Sequence, residues 1–340
     1  MNNNVLVYGA YGHTGRFVVA ELLRHGLTPI LSGRDATALK KLHREYPTLE
    51  TRPATIDDTE ALRVATDRVA AVVNCAGPFL DTGLPVAEAA ERAGAHYLDV
   101  TAEQGAVQQI YRAHDRLGHP TEVATLPAMA FYGGLPDLMA TAVAKPGEAI
   151  DEITVAIGLD RWWPTEGTRK TGQRNTIPRL VVTDGQPAPA TTSVRQWSFP
   201  APLGTHTMVE CPFSEVITMS RHLDAANIRT YLSQRALTDI RDSATSAPAA
   251  VDSTGRSAQL FTVEVAVRQG TRRRRITATG RDIYAVTAPL VVEATRRLLD
   301  GRAVLRGAAA PGETFDAADF LSALDPDTLS VGNIVEESAG

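Results

Sequence analysis

Residues that cross-link a chain or bind metal are scarce in this sequence. Its 340 residues include two cysteines, Cys75 and Cys211, in different regions. That excludes a disulfide framework and any Cys/His metal spacing. No run of 18 apolar residues occurs, so no helical membrane span is expected. Nor does a charged-then-apolar leader open the chain. Basic excess is also missing: the formal net charge is −5, which leaves no global field to attract nucleic acid. The one basic cluster, Arg272 to Arg275, is expected to begin the returning strand of a hairpin, with some of its arginines in solvent. Lysine is limited to Lys40, Lys41, Lys145 and Lys170. None of these follows a tyrosine by four positions, so the Tyr-x-x-x-Lys pair of short-chain dehydrogenases is absent. These absences predict a cytoplasmic protein without metal, with neither nucleic acid nor membrane as a partner.

What is present is ordinary globular material, 44% hydrophobic and 21% charged, long enough for two domains. Residues 5–16 read Val-Leu-Val-Tyr-Gly-Ala-Tyr-Gly-His-Thr-Gly-Arg, an apolar strand that runs into Gly9-x-x-Gly12-x-x-Gly15 and a helix. Gly9 permits the tight turn, Gly12 lets backbone approach a pyrophosphate, and Gly15 lets the helix pack closely. The N–H groups at the helix start face the phosphates. Tyr11, His13 and Thr14 belong to the same predicted cradle.

A second strand, Thr28 to Leu31, ends in Ser32-Gly33-Arg34. NAD-selective sites carry an acid near that tip, whereas here a guanidinium and a serine hydroxyl suit a 2′-phosphate. Arg16 is a further candidate for the phosphates. Asp35 reads as the N-cap of a helix from Ala36 to Tyr46. The cofactor predicted is NADP(H).

Strands at 49–56, 70–77, 96–100 and 121–126 alternate with helices at 58–67, 84–93 and 104–117. This describes an α/β, Rossmann-type doubly wound parallel sheet with ligand at the carboxyl ends of its strands. The rhythm breaks near Pro127. Beyond it, a helix at 135–144 precedes strand-like pieces at 153–159, 194–199 and 215–219 and the hairpin at 261–275. These predict a second α+β domain with a mainly antiparallel sheet. Stretches 183–193 and 243–257 read as loops, and residues 331–340 as a frayed tail. A helix at 283–299 is expected to pack back on the first domain. The predicted division is 1–127 with 281–340 for the dinucleotide and 128–280 for substrate and dimerisation.

Asn74-Cys75-Ala76-Gly77-Pro78-Phe79, then Gly83 to Ala90, then Ala93-Gly94-Ala95-His96-Tyr97-Leu98-Asp99-Val100, resemble the saccharopine dehydrogenase-like (saccharopine reductase) family. The opening glycines and Ser-Gly-Arg do so as well. The resemblance covers residues 4–105 and is diffuse beyond, although 282–288 is similar to a late helix of many members. It implies a two-domain NADP(H) enzyme, often a homodimer, transferring a hydride to an imine, ketone or activated alkene. There are departures: the family's Gly-Glu after the fifth strand is Ala102-Glu103, and its Gly-Phe-Asp after the sixth appears within Ala130 to Gly134. Specificity for an amino-acid imine such as saccharopine is therefore not supported.

Gly77 and Pro78 turn the chain where nicotinamide and its ribose would lie. Beside them, Asn74 is placed to bond a ribose hydroxyl or carboxamide, Ala76 to lie alongside, and Phe79 to pack on the ring. Cys75 reads as a small buried hydrophobe rather than a nucleophile. A ketone acceptor needs a proton donor. The ranked candidates are Tyr132, then Asp99 and Glu103 at the mouth of the fifth strand, then Lys170. Trp162, Trp163 and Arg169 are further candidates for the pocket wall. Two alternatives are an atypical short-chain or NmrA-like reductase, and an NADP(H)-binding redox sensor without turnover. A sensor needs no enclosed polar pocket beside the nicotinamide.

Overall fold

Val5-Leu6-Val7-Tyr8 has no polar face, as befits a strand covered on both sides by helices. It forms β1 (Asn4–Tyr8), whose four apolar residues are all buried. The computed structural model describes residues 3–117, 122–303 and 307–338. From β1 the chain continues through α1 (His13–Arg24), β2 (Thr28–Gly33), α2 (Ala36–Glu45), β3 (Thr51–Pro53), α3 (Thr59–Ala65) and β4 (Ala71–Asn74). It then forms α4 (Phe79–Arg92), β5 (His96–Asp99), α5 (Gln104–Leu117) and β6 (Ala124–Leu126). Thr121, the expected start of the sixth strand, lies outside the described residues. All these strands pair in parallel in the order β3-β2-β1-β4-β5-β6. The order reverses between β1 and β4, which opens a crevice beyond their carboxyl ends.

Alternation along β1 divides the packing. Val5 and Val7 share a core with Val18 and Leu22 of α1 and Leu39 and Leu42 of α2, while Leu6 and Tyr8 join Leu62 of α3 and Val86 of α4. Asp35 is the N-cap of α2, its carboxylate accepting from the N–H groups of Thr37 (2.9 Å) and Ala38 (3.0 Å). Helix α4 starts at Phe79, earlier than residue 84. Gly83 and Pro85 look like breakers in sequence, but Gly83 packs against Ile110 and Pro85 sits inside the helix.

The second domain begins with α6 (Gly134–Val143) and β7 (Glu152–Leu159), followed by α7 (Glu166–Arg174), β8 (Leu180–Thr183), β9 (Gln186–Pro189), β10 (Val194–Ser198) and β11 (Thr205–Glu210). Then come α8 (Glu215–His222), β12 (Ile228–Ser233), α9 (Gln234–Arg241), β13 (Leu260–Gln269) and β14 (Arg272–Arg281). Helix α10 (Thr287–Leu299) packs against α1, and β15 (Gly307–Ala308) adds in parallel to β6. Short helices α11 (Pro311–Thr314) and α12 (Ala317–Ser322) lie on α6. The last strands, β16 (Leu329–Val331) and β17 (Val335–Ser338), both pair with β14. The second sheet runs β10-β11-β12-β7-β13-β14-β16 and is antiparallel apart from the β12–β7 pair.

Three expectations are corrected. Residues 215–219 are helical, because Glu215, Thr218 and Met219 bury one helical face. The stretch 183–193 contains β9, joined to β8 by a two-residue turn in which Asp184 and Gly185 both have positive φ (49° and 74°), the geometry of a tight hairpin. The described part of the tail, 331–338, is not frayed but ends in β17. There Glu336 and Glu337 oppose the basic cluster: Arg275 meets Glu337 at 2.9 Å, Arg274 meets Glu336 at 3.7 Å, and Arg272 meets Glu148 at 3.1 Å. Three of its four arginines are thus ion-paired within the protein. Among the described residues no helix is long and apolar enough to cross a membrane, and no group of three His, Cys, Asp or Glu side chains could hold a metal.

Candidate functional site

A single cleft of about 1260 Å³ runs from the tips of β1 and β2, past β4, to the floor of the second domain. At its first end the glycine turn is built as its spacing predicts. Gly9 has φ of +84°, and a Cβ there would sit 2.9 Å from the Ala76 nitrogen. A Cβ on Gly15 would run into the Gly9 carbonyl oxygen. That carbonyl accepts the Gly12 N–H at 2.9 Å. Helix α1 opens at His13 with no side chain capping it. Its start faces the cleft, where Gly12, His13 and Thr14 form part of the wall. Uncapped N–H groups at the end of a helix dipole fit a diphosphate.

Beside this turn, Gly33 and the exposed Arg34 line the cleft, and Arg34 has no ion-pair partner among the described residues. Tyr11 lies over Gly33, its hydroxyl accepting the Asp35 N–H at 3.2 Å. Ser32, expected to add a donor, is fully buried and gives its proton to the Arg52 carbonyl (2.7 Å). Arg16 is likewise engaged elsewhere, in a two-pronged contact with Glu45 at 2.6 and 3.1 Å.

At the tip of β4, Cys75, Ala76, Gly77 and Phe79 form the middle of the cleft, with Pro78 as the N-cap residue of α4. Burial pushes the Cys75 thiol well up, so it stays protonated and acts as apolar surface. Asn74 does not reach the cleft. It is fully buried, donating to Thr82 and Tyr97 hydroxyls (3.3 Å each) and accepting from the Ala76 N–H (3.0 Å). Asp99 is similarly internal. Its carboxylate accepts from the Tyr97 hydroxyl (2.9 Å), the Thr101 N–H (3.0 Å) and the Ala128 N–H (2.8 Å). Burial raises its pKa to about 6 against those bonds. Asp99 thus ties β5 to the chain leaving β6 rather than serving as a donor in the cleft.

Glu103 does border the cleft, yet its carboxylate accepts from the N–H groups of Phe79 (2.7 Å) and Leu80 (3.3 Å). It stands in for the cap that Pro78 cannot supply to α4. Burial raises its pKa to about 7. Lys170 lies at the mouth, exposed and paired with Glu166 at 2.6 Å.

Tyr132 lines the cleft and is the candidate whose polar atom has no partner. Its ring stacks on Trp162 (5.6 Å) and leans on Phe213 (4.2 Å), and its buried hydroxyl has no hydrogen-bond partner. Burial lifts its pKa well above the usual phenol value, so the proton stays on. Trp162 and Arg169 also border the cleft; Trp163 instead stacks under Arg161 (5.1 Å).

Several lining residues were not anticipated. Arg179 lies over the Phe213 ring at 4.6 Å and donates to the Pro212 carbonyl at 2.6 Å. It and Arg241 both line the cleft, and both oppose the burial that pushes the Cys211 thiol up. Neither has a carboxylate partner among the described residues. The loop 243–257 contributes Ser243, Ala247 and Pro248 to the wall. No local pattern marks these residues, because distant segments bring them together.

The strand order and the glycine turn define a dinucleotide-binding Rossmann domain joined to an α+β domain across one cleft. Residues 5–121 match the family model for the saccharopine dehydrogenase NADP binding domain. Through this domain, about a third of its length, the chain is similar to that family. Over 129 residues it is 29% identical to a probable mitochondrial saccharopine dehydrogenase-like oxidoreductase of Arabidopsis thaliana. That match spans 33% of this chain and 28% of the relative. The fold is similar to apo saccharopine dehydrogenase (L-Glu forming) of Saccharomyces cerevisiae, with a TM-score of 0.66 at 13% identity over 98% of this chain and 100% of that one.

Proposed function

We propose that this protein is an NADPH-dependent reductase that delivers a hydride to a small imine, ketone or activated alkene. One observation carries the reading: the glycine turn, unpaired Arg34 and Tyr132, whose hydroxyl has no partner, all line one continuous cleft. Gly9, Gly12 and the start of α1 hold the diphosphate, and Arg34 holds the 2′-phosphate. When bound, the cofactor supplies a hydride beside Gly77.

The chain's own contribution is placement and a proton. Tyr132 Oη keeps its proton across the neutral range, donates it to the acceptor's oxygen or nitrogen, and regains a proton from water when the product leaves. The apolar wall of Trp162, Phe213 and Tyr132 excludes water, which strengthens that hydrogen bond. Arg179, held in place by Phe213 and the Pro212 carbonyl, and Arg241 favour an acceptor bearing a negative group. A redox sensor does not require this polar pocket, so its presence supports catalysis.

The test is NADPH oxidation screened over cyclic imines, 2-oxo acids and enones. Turnover is expected with at least one class, together with at least a tenfold loss in Tyr132→Phe. Equal turnover in that variant would remove Tyr132 as donor.

A further inference from the structure

Helix α7 buries none of its residues, yet it forms one side of the cleft from Glu166 to Gln173. A helix without a buried face has no packing to hold it. Its position depends on polar ties, and these are distributed unequally.

The N-terminal end is anchored deeply. The Tyr284 hydroxyl accepts from Trp162 Nε1 at 2.9 Å and from the Thr165 N–H at 3.3 Å, and shares a proton with Thr168 Oγ1 at 2.8 Å. Arg169 donates to the carbonyls of Ile240, Asp242 and Thr245 (3.4, 3.2 and 2.7 Å). Past the helix, the chain is fixed again where Leu180 exchanges backbone bonds with the Gln104 side chain (2.7 and 2.8 Å). Between these anchors, α7 reaches the nucleotide domain through Arg174, whose guanidinium meets the Asp81 carboxylate on α4 at 2.9 Å. Both partners of that pair are substantially solvent-exposed. Thr171 sits directly over Gly77, where a Cβ would come within 2.8 Å of its hydroxyl. The helix therefore crosses the segment where the nicotinamide end of a dinucleotide would lie.

We infer that α7 is a strap over the cofactor cleft, hinged at Tyr284 and Leu180 and clasped by Arg174–Asp81, and that opening this clasp admits and releases the dinucleotide. An exposed ion pair is weak and salt-screened, so the clasp opens readily while the anchors hold. The role of the strap rests on the NADPH reading above; its mobility does not.

Two measurements on the full chain separate these. Hydrogen–deuterium exchange of the unliganded protein should show faster exchange at 168–174 in Asp81→Asn and in Arg174→Gln, with the amides of β1 and β4 unchanged. Stopped-flow release of NADPH should be three- to fivefold faster in each single variant and no faster in the double variant. Raising salt should bring wild-type release towards the variants' rate. Wild-type exchange at 168–174 in both variants would overturn the strap. Release rates that match wild type, or multiply in the double variant, would overturn its gating role. An absence of any NADPH binding in the wild type would instead sink the cofactor assignment, and with it the gate, leaving the exchange data to decide whether α7 moves as a strap.

Discussion

A tyrosine hydroxyl buried without a partner costs about 1–3 kcal/mol, and Tyr132 carries that cost in the unliganded protein. Sites that tolerate such a cost gain it back when a ligand supplies the missing bond. Tyr132→Phe should therefore be as stable as the wild type or more stable in thermal denaturation, in contrast to its loss of turnover. A lowered melting temperature would mean that the hydroxyl already has a partner. Three other residues teach the reverse. Ser32, Asn74 and Asp99 stand at or next to the carboxyl ends of β2, β4 and β5, where a side chain can point up to a ligand or sideways to a neighbouring strand. Because these strands are covered on both faces, no polar–apolar alternation marks the direction, and sequence alone leaves it open. All three turn sideways, to Arg52, to Thr82 and Tyr97, and to Ala128.

Among the elements, α4 shows how one carboxylate sets a helix boundary. Glu103, from a loop more than twenty residues later, supplies the cap, so no local signal near residue 79 announces the start. Its folded pKa, about 7, lies above its ordinary value. The folded state then holds the proton more tightly than the unfolded chain does. The resulting stabilisation is complete below the ordinary carboxylate range and is lost as pH rises through 7. By linkage this is worth up to about 3 kcal/mol. Wild-type stability measured by denaturant should thus decline from pH 4.5 to 7.5 more steeply than that of Glu103→Gln. Parallel pH profiles would show that Glu103 titrates normally. Local chemistry was readable where it is self-contained: the Asp35 cap, and in principle the Asp184-Gly185 turn that joins β8 to β9. It was not readable at α8, where five residues fit either period.

Across the whole molecule, the nucleotide domain was legible because each βα unit carries its own turn, cap and apolar period. The second domain was less so, since its sheet gathers strands from 152 to 338 and takes its last two from the chain's end. The far wall of the cleft, with Arg179, Arg241 and Phe213, exists only once those strands are assembled. The cleft between the domains unites a glycine turn at an uncapped helix start with a protonated phenol, and the cofactor's identity decides whether that union is a reductase. Titration calorimetry of wild type and Arg34→Ala with NADPH and NADH addresses this most directly. Wild type should bind NADPH more tightly than NADH, and Arg34→Ala should lose about 1.5–3 kcal/mol towards NADPH while NADH is little affected. No heat with either nucleotide, or equal weakening of both in the variant, would contradict it.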